Sequence, residues 1–300
     1  MATDKTPPSP PVTIEGKVET HGELSRESDN NNQAKSSSQF SPNMQLLTLA
    51  KKFAIDGSLL PSDKQMPLEE RFRKRARVDD LRKQQNLEAI IQRAMQYCAS
   101  DEISDRADAD WFANFLELAE NVGNKTMQDL WAKILAGEVC APASFSIKSL
   151  KAFRTMSIHE AKLFAKACSL AVKDSSRKNY RIISSASQTP GLFHLFSGKP
   201  FHPLNLASFG LSYAELMTLA DNHLIFLQET ETTPYKRGEE LKFDYNGQPL
   251  TLTAQENNCL ISFYKFTPVG VELARLIADK PDDKFAKYMT KEFSGLFTVN

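Results

Sequence analysis

Asp129–Leu150, DLWAKILAGEVCAPASFSIKSL, decides how this chain is read. Trp131, Ile134, Leu135 and Glu138 recur at i, i+3, i+4 and i+7, so they share one face of a helix. Gly137 and Pro142 mark its end, and Ser146 is placed to cap a second helix that runs through Met156. Trp131 reads as a core anchor. A carboxylate on the same stripe is tolerated only with partners. The nearest candidates for Glu138 are the free amides at Ser146, Ile147 and Lys148, where the dipole of the second helix adds attraction. Glu138 is therefore read as a structural acceptor. No nucleophile, acid or second carboxylate stands at a spacing that would make it a general base. Trp111, Trp131, Glu138, Phe145 and Ser146 form the expected core motif.

Upstream, Asp108 and Asp110 precede an apolar helix, Trp111–Val122, and cap its amides. Asn124 or Thr126 opens the helix of the central block. Ser157 and Glu160 form a capping box for a helix reaching about Val172. Short connections imply a compact helical-bundle domain over 86–172. A long helix, Pro67–Ala99, has two characters. Leu87, Ile90, Ile91, Ala94, Met95 and Cys98 make its second part amphipathic. The first part is mostly charge, with Arg71, Arg73, Lys74, Arg75, Arg77, Arg82 and Lys83 interleaved by Glu69, Glu70, Asp79 and Asp80. Residues 44–85 are thus a short helix within Met44–Leu60, stopped at Gly57, followed by a charged helical linker. Residues 1–43, rich in Pro, Ser, Asn and Gln, cannot bury enough surface to order and read as a disordered tail.

Residues 173–300 change texture. Strands are expected at Tyr180–Ile183, Leu224–Gln228 and Cys259–Phe266. A second capping box, Ser212 with Glu215, opens a helix ending near Asn222. Asn246-Gly247 favours a two-residue hairpin turn whose register sets Phe243 opposite Leu250 and Leu241 opposite Leu252. Thr267-Pro268 is a cap followed by Pro at the first helical position. Helix, strand, hairpin and returning strand–helix make a smaller α+β domain, winged-helix-like in outline. The fold class is mainly α with that smaller α+β part.

Several blocks in fixed order resemble a family of uncharacterised bacterial proteins, a domain of unknown function. They are NLEAII from Asn86, Asp108-x-Asp110-Trp111 with Phe115, MQDLWAKILAGEV, PASFSIKSL, and the Met156-Ser157-x-x-Glu160-Ala161 start. DNHLIFLQ from Asp221 and FTPVGVELA from Phe266 resemble the later part of such proteins. The family often has Pro-Gly where this chain has Pro142-Ala143, which implies a turn that does not strictly need a positive φ. The resemblance carries no activity to transfer.

Composition narrows the function classes. Lys+Arg and Asp+Glu number 37 each over 300 residues, so any polyanion affinity must come from a local patch. The basic helix, Arg71 to Lys83, is that patch, and it is the candidate nucleic-acid contact. The expected recognition helix of the winged-helix-like part, Tyr213–Asn222, has no Lys or Arg and offers no base reader. Cys98, Cys140, Cys168 and Cys259 are scattered and read as small structural hydrophobes in a reducing compartment. No Cys/His spacing suggests zinc, no cofactor loop is present, and no cofactor is expected. Neither a secretory signal nor an apolar run of membrane-spanning length is visible, so no membrane is expected and the protein reads as cytoplasmic. The leading expectation is a non-enzymatic interaction or regulatory protein with an unknown protein partner and an oligomeric state left open. The first alternative is a nucleic-acid-associated regulator or phage-defence component using the helix 71–83. The second is an enzyme with a site in the Phe-rich loop from His194 to His202.

Overall fold

Side-chain caps set where most of the helices begin. The computed structural model describes residues 41–98, 108–174, 179–189, 200–277 and 280–300. In chain order the described elements are α1 (Pro42–Lys52), α2 (Leu68–Tyr97), α3 (Ala109–Ala119), α4 (Lys125–Cys140), α5 (Ile147–Thr155), α6 (Ile158–Leu170), β1 (Val172–Asp174), β2 (Tyr180–Gln188) and β3 (Phe201–Pro203). They continue as α7 (Tyr213–Asp221), β4 (Thr230–Glu231), β5 (Glu240–Tyr245), β6 (Gln248–Ala254), β7 (Cys259–Lys265), α8 (Pro268–Ala274), α9 (Asp283–Phe293) and β8 (Phe297–Val299). Asp108, Asn124, Ser146, Ser157, Ser212 and Thr267 each accept a backbone N–H at the start of the helix they precede. Ser157 and Ser212 form complete capping boxes with Glu160 and Glu215.

The chain divides into two compact units, Met1–Ala50 and Lys51–Asn300. In the first, the described residues are helical from Pro42. The tail expected over 1–43 lies almost wholly outside the described residues. α1 ends at Lys52, short of the expected stop at Gly57, where the chain turns through Ala54 at φ +52°.

In the second unit, eight strands form one antiparallel sheet in the order β4-β7-β2-β1-β5-β6-β8, with β3 also on β2. The molecule is thus mixed α/β. The expected hairpin is β5–β6, with Phe243 opposite Leu250 and Leu241 opposite Leu252. Asn246 and Gly247 both have positive φ, +50° and +89°, as a type I′ turn requires. A hydrophobic cluster runs from Ile90 on α2 through Trp131 and Leu170 to Ile182, Leu252 and Phe293.

Three expectations are corrected here. Leu224–Gln228 is no strand; Ile225 makes an isolated bridge to Phe266, and Phe226 N–H donates to the Lys265 carbonyl. α4, expected over Lys125–Val139, reaches Cys140 with Gly137 inside it, so Gly137 does not end the helix. Gly137 is needed for packing, since a Cβ there would lie 2.9 Å from the Phe145 ring. The returning strand β7 pairs with β2 and β4, across the sheet from the hairpin, so the sheet is larger than a wing needs. The hairpin tip is also not free. Asn246 is buried, and its side-chain amide donates to the carbonyls of Cys168 and Ser169 at the end of α6.

Candidate functional site

The sequence-predicted residues fall into two groups, the core motif around Glu138 and the basic first half of α2. Glu138 is 2% exposed. Its carboxylate accepts from Ala143 N–H at 2.7 Å and Phe145 N–H at 2.9 Å. The role is the expected one, but the amides are not those of Ser146, Ile147 and Lys148. They belong to the turn itself, because the chain doubles back before α5 starts. The Ser146 amide goes to Glu272 on α8, at 2.6 Å, and the Ser149 hydroxyl donates to the same oxygen at 2.5 Å. Arg275 donates to the Ser144 carbonyl at 3.0 Å, and Trp111 Nε1 to the Phe145 carbonyl at 2.6 Å. Ala143 sits at φ +65°, so the turn adopts the positive φ that it was expected not to need strictly. An L-residue pays for that conformation with a close approach of its Cβ to the backbone.

The aromatic members stack behind the turn. Ring centroids lie 5.4 Å apart for Trp111–Phe115, 5.3 Å for Phe115–Trp131 and 5.4 Å for Trp131–Phe153. The core motif is a scaffold: its carboxylates are occupied by backbone amides and its rings by one another. Sequence reasoning missed Glu272 and Arg275, which lie more than a hundred residues downstream. The available signal was their placement in or beside the FTPVGVELA block. That block also meets DNHLIFLQ, since a Cβ on Gly270 would lie 2.0 Å from the Leu224 carbonyl oxygen. Thr267 N–H donates to that same oxygen.

With those blocks assembled in space, comparison with known proteins becomes meaningful. A family described as "Protein of unknown function (DUF2806)" matches residues 70–290. The chain belongs to this family. No curated protein and no solved structure matches it.

The family match begins inside α2, at the basic run. Arg73 pairs with Glu69 at 2.6 Å; Arg82 pairs with Asp79 at 2.5 Å and donates to Asn121 at 2.9 Å. Lys83 bridges Glu120 at 2.8 Å and Asp79 at 3.4 Å. The Arg82 guanidinium beside Asp79 holds that carboxyl below its ordinary range, and the Glu120 bond raises Lys83. Arg71 donates to the Met66 carbonyl, and Arg75 lies over the Phe72 ring at 5.8 Å. Lys74, Arg75 and Arg77 have no carboxylate partner among the described residues. The run is thus half tied down and half available. Beside it a groove of about 460 Å³ is lined by Phe53, Ile55, Phe72, Arg75, Asp79 and Arg82. Leu68 and Phe72, one turn apart, are 73% and 59% exposed.

Other predicted features divide. Cys168 and Cys259 are buried as expected, but Cys140 is exposed. Cys98 and Cys140 are brought close to each other, a proximity their separation in sequence hid; burial first, and then Cys140, push the Cys98 thiol up. His194 lies outside the described residues. His202 on β3 faces Gly295, where a Cβ would lie 3.8 Å from its ring. Among the described residues no cluster of three or more His, Cys, Asp or Glu could hold a metal ion, and no helix is long and apolar enough to cross a membrane.

Proposed function

We propose that this is a non-enzymatic, cytoplasmic interaction protein whose docking surface is the first half of α2, and that it takes an acidic segment of a protein partner carrying apolar side chains. The observation that carries the reading is the exposure of Leu68 and Phe72 on the same stretch as Lys74, Arg75 and Arg77. Phosphate contacts need only the cations. Large exposed apolar groups beside them fit a partner that offers apolar anchors with a negative rim. The groove against Phe53 and Ile55 is a seat for such an anchor. The helical part, 86–172, and the α+β part, 173–300, act in this reading as the platform that presents α2.

A second reading, a nucleic-acid-associated regulator, is favoured by Lys74, Arg75 and Arg77, which have no carboxylate partner among the described residues. Anisotropy across a salt series separates the two, using duplex DNA and an acidic peptide with two Leu anchors. The first reading expects the peptide to bind, with Phe72→Ser and Arg75→Glu each weakening it. DNA binding that falls with salt at about −0.9 per phosphate contact in log–log slope, is lost in Lys74→Glu/Arg77→Glu and is indifferent to Phe72→Ser would establish the second instead.

A further inference from the structure

We propose that the pocket against the bulge of β2 binds a small neutral polyol, a molecule of monosaccharide size with several hydroxyls and one apolar face. Between Ile183 and Ser185 the register of β2 against β7 slips by one residue. The Ser184 carbonyl, at the slip, accepts from Leu204 N–H at 2.7 Å. A bulge of this kind re-aims side chains that would otherwise alternate across the sheet. Ser184 and Ser185 both line one cavity of about 250 Å³. They are 6% and 3% exposed, and neither hydroxyl has a hydrogen-bond partner among the described residues. Two adjacent buried hydroxyls without partners among the described residues are unusual in a folded protein, and both serines line this cavity.

The rest of the lining sets the ligand class. Burial first, and then the Glu229 carboxylate beside it, push Tyr264 up to about 12. Leu206 and Leu216 form an apolar wall. No Lys, Arg or His lines the cavity among the described residues, so an anionic ligand would find Glu229 and no counter-charge. Serine hydroxyls donate and accept, which matches hydroxyl groups on a ligand. The volume lies below the range for drug-sized molecules. Phe201 and Pro203 of β3 border the cavity, so the described end of the Phe-rich loop stands at a binding pocket.

The test is saturation-transfer NMR on the full chain with D-glucose, D-ribose and myo-inositol, with glucose 6-phosphate as the anionic control and ethanolamine as the cationic one. At least one neutral probe should give a saturable signal, stronger than either control. Ser184→Ala/Ser185→Ala should weaken it about tenfold or more, the loss expected for buried hydrogen bonds. If that double substitution disturbs folding, Ala207→Trp, at an exposed position on the rim, should abolish the signal by filling the cavity. No saturable signal from any neutral probe, as for a pocket holding water alone, would overturn the proposal. So would a control that binds more tightly, or binding unchanged by these substitutions.

Discussion

The turn at Glu138 and the bulge at Ser184–Ser185 bury polar groups to opposite effect. In the turn, the amides of Ala143, Phe145 and Ser146 each find a carboxylate, and the carbonyls of Ser144 and Phe145 each find a donor. In the bulge, two hydroxyls are buried with no partner among the described residues. The difference teaches where to look for function. A carboxylate saturated by backbone amides has little capacity left for a ligand, however prominent its sequence block. An unsatisfied hydroxyl is a standing cost that a folded protein keeps for a reason.

The contrast can be broken first at its most crowded point. Gly270→Ala sets a Cβ against the Leu224 carbonyl and should cost about 3–4 kcal/mol in urea denaturation, because backbone meets backbone and neither side can rotate away. Glu138→Gln keeps the shape but loses the charge and sets an NH₂ against an N–H; a cost of about 2–3 kcal/mol is expected by the same measurement. Ser157→Ala removes one N-cap and should cost about 1 kcal/mol.

Its partner Glu160 adds a pH signature. The Ser157 amide first, then Asn222, hold its carboxyl below the ordinary value of 4.5. A lowered folded-state pKa means stability that is present above the ordinary value and is lost as pH falls through the lowered one. Glu160→Gln should therefore be less stable than wild type at pH 7, with the gap closing in melts taken progressively below pH 4.5. The smallest effect has the opposite sign. Ala143→Gly relieves the positive φ and should stabilise by about 1 kcal/mol, less the extra entropy of the unfolded chain.

Legibility in the sequence followed the range of the interactions. The caps at Asn124, Ser146, Ser157 and Ser212 and the β5–β6 register could be read because they are decided within a few residues. Burial of Trp131, Ile134, Leu135 and Glu138 could be read from helical spacing. The Glu272–Ser146 contact joins residues 126 apart in sequence and leaves no local mark. Ala143 was misread because a positive φ on a non-glycine residue is set by the surrounding hydrogen bonds, not by residue type. The Ser184–Ser185 pocket was hidden for a similar reason. Two serines in a strand are unremarkable until the strand bulges and β3 pairs alongside it.

The most direct measurement is a paired denaturation series at pH 7: Ser184→Ala and Ser185→Ala beside Glu138→Gln, each against wild type. A group whose hydrogen bonds are made inside the fold destabilises when removed, whereas a buried hydroxyl without a partner does not. The account predicts a loss of about 2–3 kcal/mol for Glu138→Gln and no loss, or a small gain, for each serine. Serine substitutions as costly as the glutamate would show that these hydroxyls are bonded within the scaffold, and the distinction between the two regions would fall.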